Sequence, residues 1–329
     1  MRRACITGGA GFIGSNLADH LRAQGAEVVI VDDFRTGRRE FVEHHRTDAG
    51  VTLIEGDVLD GSVLARAFDG CDWVFHLQAN ADVRRGLDHP DRDLEQNTIA
   101  TARVLEAMRT AGVSQIAFSS TGSVYGEAEV VPTPEDAPFP IQTSLYGASK
   151  VAGEGLISAY ASGFGFTGVV FRFVSILGER YTHGHVYDFF CQLKHDPSRL
   201  AVLGDGHQEK SYLYVQDCVG AITTAVAAHE GKRGDYVVYN LGTDETVVVN
   251  DSIRTICERL GVAPDLSYSG GRRGWIGDSP LIHLDCGKIR RLGWAPTRTI
   301  KESIVLTLDW FESNSYAWAS QVAALGGQS

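Results

Sequence analysis

Nine residues near the amino terminus, TGGAGFIGS at positions 7–15, set the tightest limits on what this 329-residue chain can fold into. They follow a short apolar run, ACIT, and lead into SNLADHLRAQ, whose Leu17 and Leu21 fall on one helical face. Gly8, Gly11 and Gly14 are spaced three apart, and Gly9 with Gly11 and Gly14 also fits the pattern GxGxxG. A backbone without Cβ atoms lets a pyrophosphate approach the start of the following helix, where free N–H groups and the helix dipole favour an anion. Asp32 stands at the end of the next apolar run, EVVIVDD, eighteen residues past Gly14. A carboxylate there hydrogen-bonds the hydroxyls of an adenosine ribose and repels a 2′-phosphate. The pattern predicts a βαβ unit that binds a dinucleotide, NAD in preference to NADP, with Arg35 close enough to weigh against that preference.

The rest of the first half repeats the alternation. VTLIEGD, CDWVFHL, QIAFSS and GVVFRFV read as further strands, and LEQNTIATARVLEAMRTAG as one long helix closed by Gly112. Strands alternating with helices of this length imply a parallel sheet covered on both faces. After about Gly178 the texture becomes loop-rich, although YVQDCVGAITTAVAAH reads as a helix and YVVYNLG as a strand that returns to the sheet. VVVNDSIRTICERLG is a further helix, and GGRRGWIGDSP a glycine-rich loop carrying two arginines. The expected fold is a Rossmann-type, doubly wound α/β sheet with a smaller, discontinuous α/β substrate-binding lobe. The sheet domain covers residues 1–175, with a return at about 211–245, and the lobe takes 176–210 and 246–329.

Composition removes several classes of function. A net charge of −11 is wrong for a protein whose main partner is nucleic acid, because binding phosphates needs a basic surface. The first fifteen residues are broken by glycines and read as neither a signal peptide nor a membrane span. The six cysteines are scattered, without a CxxC pair, and fit reduced thiols in a cytoplasmic protein. His183 and His185 form an HxH pair with no carboxylate-rich set beside it, so no metal centre is expected.

SLYGASK, residues 144–150, raises the chemical question. Tyr146 and Lys150 are four residues apart, which stacks them on one face of a helix. An ammonium beside a phenol favours the phenolate, so the pair is a candidate proton-transfer device; a tyrosine merely packed over a lysine has the same spacing. The motifs TGGAGFIGS, HLQANADV, FSSTGSVYG and YGASK occur in order at the ends of successive strands or in the next helix. Together they resemble the extended short-chain dehydrogenase/reductase family, and within it the NAD-dependent nucleotide-sugar epimerases of the UDP-glucose 4-epimerase type. The resemblance covers almost the whole chain and includes the later GDGHQEKSYLYVQDCV.

That resemblance implies roles. Tyr146 is the base, Lys150 holds the nicotinamide ribose and lowers the tyrosine pKa, and Thr121 bridges the sugar oxygen and the tyrosine. The cofactor contacts are Gly8, Gly11, Phe12, Ile13, Gly14, Asp32, Asp57, Val58, Leu77 and Lys150. Asn97 is a structural polar residue on its helix. Gly122 and Ser123 follow the threonine where dehydratases of the family carry Asp-Glu, so elimination lacks its acid–base pair. The implied cycle oxidises one sugar carbon, C4, to a transient keto-sugar and reduces it again with no net redox change.

A nucleotide-diphosphate sugar also needs cations, and Lys210, Arg272 and Arg273 stand where the family places them, with Asp278 beside the arginines. Ser123, Ser175, His185 and Tyr187, together with Thr121 and Tyr146, complete the implied sugar contacts. Ser175 replaces a common asparagine, Gln78 a usual small residue, and Lys210 a usual arginine. Three readings stay open: the C4 epimerase, an epimerase or dehydrogenase acting on another nucleotide sugar such as a uronic acid or heptose, and a non-catalytic nucleotide sensor. Family members pair as homodimers through two helices, here near residues 91–112 and 144–163.

Overall fold

The computed structural model of the chain describes residues 1–80, 88–139, 141–274 and 281–326. Its centre is a seven-stranded sheet formed by β1 (Arg3–Thr7), β2 (Glu27–Asp32), β3 (Val51–Glu55), β4 (Trp73–His76), β5 (Gln115–Thr121), β6 (Thr167–Phe173) and β7 (Tyr236–Leu241). All neighbours are parallel and the order across the sheet is 7-6-5-4-1-2-3. The chain builds outward from β1 through β2 to β3, then crosses to β4 on the other side of β1. The loops after β1 and β4 therefore diverge at a topological switch point, where open α/β sheets bind ligands.

Local sequence explains the strands. β2 carries Val28, Val29, Ile30 and Val31 in a row, all fully buried, because a parallel sheet covered on both faces excludes water from both sides of a strand. One face packs against α2 (Gly61–Phe68), α3 (Ala100–Ala111) and α4 (Leu145–Phe164): Val63, Leu64 and Phe68, then Val104 and Met108, then Ile157 meet Val29, Val74, Phe118 and Val170 in a single core. On the other face lies α1 (Phe12–Ala23), whose His20 meets Thr223 of the helix Val215–His229.

One element differs from the sequence expectation. The long helix before Gly112 is not uniform. A turn at Pro90–Asp93 is followed by a six-residue π-helical segment, Leu94–Ile99, and only then by α3. The wider π turn rotates Gln96 and Asn97 into the protein, where both are buried. At the other end Gly112 closes α3 in the left-handed conformation, with φ of 75°.

The described chain divides into two compact units. The first is Met1–Phe173, Val219–Leu241 and Asp285–Ala295; the second is Val174–Cys218, Gly242–Leu284 and Pro296–Ser329. The sequence reading put the return near residue 211 and gave everything after 245 to the smaller lobe. Here the return begins at Val219, and Asp285–Ala295 makes a second one: Asp285 N donates to Thr133 O at 2.9 Å and Asn240 Nδ2 to Asp285 O at 3.1 Å. The second unit has short strand pairs, Ser175–Leu177 with Tyr212–Tyr214 and Arg199–Val202 with Asp265–Tyr268. Its helices are His185–His195, Val249–Leu260 and Ile300–Ser313, and Phe311 packs in its core against Tyr181, Tyr187 and Phe190.

Candidate active site

The glycine turn is held by β2. Gly8 N donates to Val31 O at 2.8 Å, and Gly8 adopts a φ of +70° that few residues other than glycine tolerate. A Cβ on Gly8 would lie 2.8 Å from the Gln78 backbone, and one on Gly14 would lie 2.2 Å from Gly8 O. The turn, the loop after β4 and the first turn of α1 are thus in backbone contact. Gly11 is the helix N-cap, with no capping side chain and no acidic residue in the first turn. Phe12 is buried and Ile13 half-buried within that turn. Such a helix start has its backbone donors and positive dipole end available for an anion, and the residues fit the pyrophosphate of a dinucleotide.

Asp32, at the end of β2, accepts from Ala10 N and from Phe34 N, each at 2.9 Å. Burial pushes its carboxyl above the ordinary range, against the pull of those two donors. Arg35, the residue that weighed toward a 2′-phosphate, is ion-paired at 2.8 Å with Asp33 and also with Asp57. A phosphate there would have to displace two carboxylates and approach a third, which favours an unphosphorylated ribose. Asp57 also accepts from Leu59 N at 2.9 Å, so it is a turn acid as well as the partner of Arg35. Val58 is buried, and Leu77, just past β4, donates its N–H to Thr7 O at 3.1 Å.

Two elements bring the candidate chemistry together. Thr121 ends β5; its Oγ1 accepts from Ser123 N at 3.1 Å and donates to Ser123 Oγ at 3.2 Å. Ser144 caps α4 by accepting from Gly147 N at 3.0 Å, which fixes the first turn that carries Tyr146. The Thr121 side chain is near enough to Tyr146 to draw its pKa down. Lys150 follows one turn later, 1% exposed, its Nζ 5.9 Å from the centre of the Tyr146 ring. Nζ donates to Ser119 O at 2.8 Å and sits over the Phe118 ring.

The ionisation of the pair departs from the sequence expectation. Lys150 was to lower the tyrosine. Instead, burial pushes Tyr146 up to about 12, helped by Asp93 and opposed by Thr121. Burial also pushes Lys150 down to about 7, against Glu154 and Asp93. In the protein's own field desolvation is the largest influence on both groups.

Sequence reasoning missed a buried cluster behind the pair. Glu154 accepts from Arg172 Nε at 3.0 Å and Nη2 at 2.7 Å, and Arg172 Nη1 donates to Tyr125 OH at 2.7 Å. The signal was present: Glu154 lies one further turn along the face of α4 that carries Tyr146 and Lys150, where an unpaired acid would be costly. Tyr125 in turn donates to Asn240 Oδ1 at 2.8 Å, a packing and network position.

Apart from Thr121, Ser123 and Tyr146, the residues expected to bind sugar nucleotide belong to the second unit. Ser175 begins its strand and is exposed. His185 Nδ1 is 2.9 Å from Tyr212 OH, and burial, with Lys210 contributing, drives this imidazole down to about 4, so it is neutral. Tyr187 is a correction. Its ring is buried at 5.6 Å from Phe311 and its hydroxyl donates to Ala317 O at 3.1 Å, which makes it a core residue rather than a pocket lining. Lys210 lies on the strand Glu209–Lys210, Arg272 and Arg273 are exposed in their loop, and Asp278 lies outside the described residues. Among the described residues one group, Asp19 with His44 and His45, gathers potential metal ligands, and there both imidazoles share Asp19 Oδ1 at 2.7 Å.

A parallel sheet with this turn, this acid and this tyrosine–lysine helix at its switch point has the build of a nicotinamide-dependent enzyme of the extended short-chain dehydrogenase/reductase type. The model of the NAD dependent epimerase/dehydratase family matches residues 4–242, and the chain belongs to that family. A UDP-glucose 4-epimerase of Mycolicibacterium smegmatis is 31% identical, the match covering 95% of this chain and 99% of that one. A crystal structure of UDP-galactose 4-epimerase superposes with a TM-score of 0.84 at 37% identity, covering 94% of this chain and 99% of the other. The UDP-glucose 4-epimerase of Thermus thermophilus, solved in complex with NAD, gives a TM-score of 0.82 at 31% identity over 95% and 99%. The expected class, an NAD-dependent sugar epimerase, agrees with these findings. Among the described residues no helix is long and apolar enough to cross a membrane.

Proposed function

We propose that this protein is an NAD-dependent epimerase of a nucleotide-diphosphate sugar, acting at C4 of the hexose. The observation that carries this reading is Tyr146 and Lys150 one turn apart on α4, with Thr121 at the end of β5 followed directly by Gly122-Ser123 and not by an acid–base pair. The similarity to UDP-glucose and UDP-galactose 4-epimerases supports it. NAD, when bound, supplies the reversible redox chemistry and a positive charge. Tyr146 removes the proton from the sugar hydroxyl and returns it, while Thr121 orients that oxygen through its own hydroxyl. Lys150, fixed by Ser119 O, holds the nicotinamide ribose and adds positive field when protonated. The chain's own field leaves Tyr146 protonated at neutral pH, so the base forms only when further positive charge arrives. Gly8, Gly11 and Gly14 cradle the pyrophosphate, and Asp32 receives the adenosine ribose.

We assign the diphosphate of the substrate to Lys210, Arg272 and Arg273, and contacts to the rest of it to Ser123, Ser175 and His185. A homodimer is the proposed assembly; Leu94, Ile99 and Leu145, which lie in or beside the two helices expected to pair, are exposed apolar residues that support it. The proposed setting is the cytoplasm: all six cysteines are free thiols, five of them buried.

The deciding assay incubates purified protein with UDP-, GDP-, CDP-, ADP- and dTDP-sugars, uronic acids included, and follows the sugars by NMR. A C4 epimer should form from at least one hexose, with no net NADH. Stoichiometric NADH release would make the enzyme a dehydrogenase, and a panel without turnover would remove the catalytic reading.

A further inference from the structure

Three side chains outside the dinucleotide and proton-transfer sites gather at one point. Asp19 lies on α1, and His44 and His45 lie in the 3-10 turn Glu43–His45, within the stretch of chain that runs from β2 to β3. Consecutive side chains on such a turn diverge by about 120°. Here the two imidazoles come together instead, with ring centres 4.0 Å apart, and both bring Nε2 to the same oxygen, Asp19 Oδ1, at 2.7 Å. The side chains of Asp19, His44 and His45 are 36%, 47% and 10% exposed. The cluster is therefore open to solvent at His44 and backed by protein at His45.

The backing is itself built. His45 Nδ1 is 4.0 Å from Asp48 Oδ2. Asp48 is fixed by Arg22 of α1, whose Nε and Nη2 each donate to it at 2.9 Å, and by Gly50 N at 2.8 Å. His45 thus stands between two carboxylates, one toward each ring nitrogen. A metal-ligating histidine has this surrounding: one nitrogen meets the ion while a carboxylate on the far side receives the other N–H and sets the ring. Arg22 balances the charge of Asp48, so Asp19 supplies the negative charge at the two Nε2 atoms.

We propose that Asp19, His44 and His45 form a site for a divalent cation of the zinc class, which clasps the segment after β2 to α1. Two imidazole nitrogens and one carboxylate suit zinc, whereas magnesium and calcium take oxygen ligands. Zinc bonds of 2.0–2.2 Å place tetrahedral ligands about 3.4 Å apart, and the three donor atoms all lie within 4.8 Å of one another. The ion enters by moving each imidazole nitrogen back from the oxygen by under about 1 Å. Three protein ligands leave the fourth position to water, on the solvent side. Each Nε2 then presents its lone pair and each ring carries its proton on Nδ1, which in His45 points to Asp48. The near end of the clasped segment meets the dinucleotide turn: Arg38 N donates to Ala10 O at 3.0 Å, and a Cβ on Gly37 would lie 2.5 Å from Asp32 Oδ1. The ligands are 25 and 26 residues apart, with the histidines adjacent, so no ligand spacing in the sequence announces them.

The test uses the enzyme as purified, freed of metal with EDTA and dialysed. Calorimetric titration with Zn²⁺ should show one ion bound per chain, and the melting temperature should rise with Zn²⁺, as it does for any ligand of the folded state. Co²⁺ in its place should give visible bands of nitrogen and oxygen coordination, without the near-ultraviolet band of a cobalt thiolate. Asp19→Asn and His44→Gln alter exposed side chains, and His45→Gln the shielded one. Each should weaken Zn²⁺ binding by at least about tenfold, the least that loss of even an outer partner costs a metal site. His183→Gln, in the other histidine pair, should bind as the parent does. Absence of saturable Zn²⁺ binding in the parent would overturn the proposal. So would a loss smaller than about tenfold in Asp19→Asn or His44→Gln, an equal loss in His183→Gln, or a thiolate band with Co²⁺.

Discussion

Tyr146 tests the chemistry at the scale of one atom. Tyr146→Phe keeps the ring and the turn capped by Ser144, and deletes the ionisable oxygen. Turnover should fall by roughly two to four orders of magnitude, the usual scale for a general acid–base group. The melting temperature should remain near that of the parent, since only a hydroxyl is lost. Parental turnover together with a lowered melting temperature would make the tyrosine structural. At this scale the sequence was readable where local spacing decides: the glycines, Asp32 and the four-residue offset of Tyr146 and Lys150 all fall where the motif puts them. What could not be read is ionisation. The pKa of Tyr146 depends on burial and on Asp93, fifty-three positions earlier. Tyr187 failed for a similar reason, because its neighbours Phe311 and Ala317 come from far along the chain.

Elements whose composition already matched their environment were read correctly. β2 is a run of β-branched residues in a sheet covered on both faces, and α3 ends at a glycine in the left-handed conformation. The π segment escaped because LEQNTI has ordinary helical composition; the widening is set by Asn97 reaching Asn80 and Ser149, both outside its own element. The helix Ile300–Ser313 offers a test of purely local structure. Thr299 Oγ1 accepts from Glu302 N at 3.2 Å, and Glu302 Oε2 accepts from Thr299 N at 2.8 Å, a reciprocal capping box. Thr299→Ala removes the first of these bonds and should cost about 1 kcal/mol, measured as a shift in the urea midpoint. Turnover on the substrate found in the panel should be unchanged, and no change in midpoint would show that the cap adds nothing to the folded state.

At the scale of the whole molecule, assembly is the open test. Leu94, Ile99 and Leu145 are 52%, 39% and 40% exposed, too much apolar area on one pair of segments to leave without consequence. Light scattering should give twice the chain mass, and Ile99→Glu should lower it toward one chain; a monomeric parent would remove the dimer. The order in which the chain visits its two units has a different consequence, one of timing. Thr121, Tyr146 and Lys150 are all synthesised before β6 is complete, yet β6 then waits more than sixty residues for the strand that pairs with it, Gly168 to Tyr236 through Phe173 to Leu241. Until then its outer edge carries unpaired backbone groups, a template for any other extended chain nearby. The last piece of the first unit, Asp285–Ala295, is made later still. A nascent chain of this protein therefore holds every candidate catalytic side chain long before it can finish the sheet that positions them, and the interval between is when it most needs shielding.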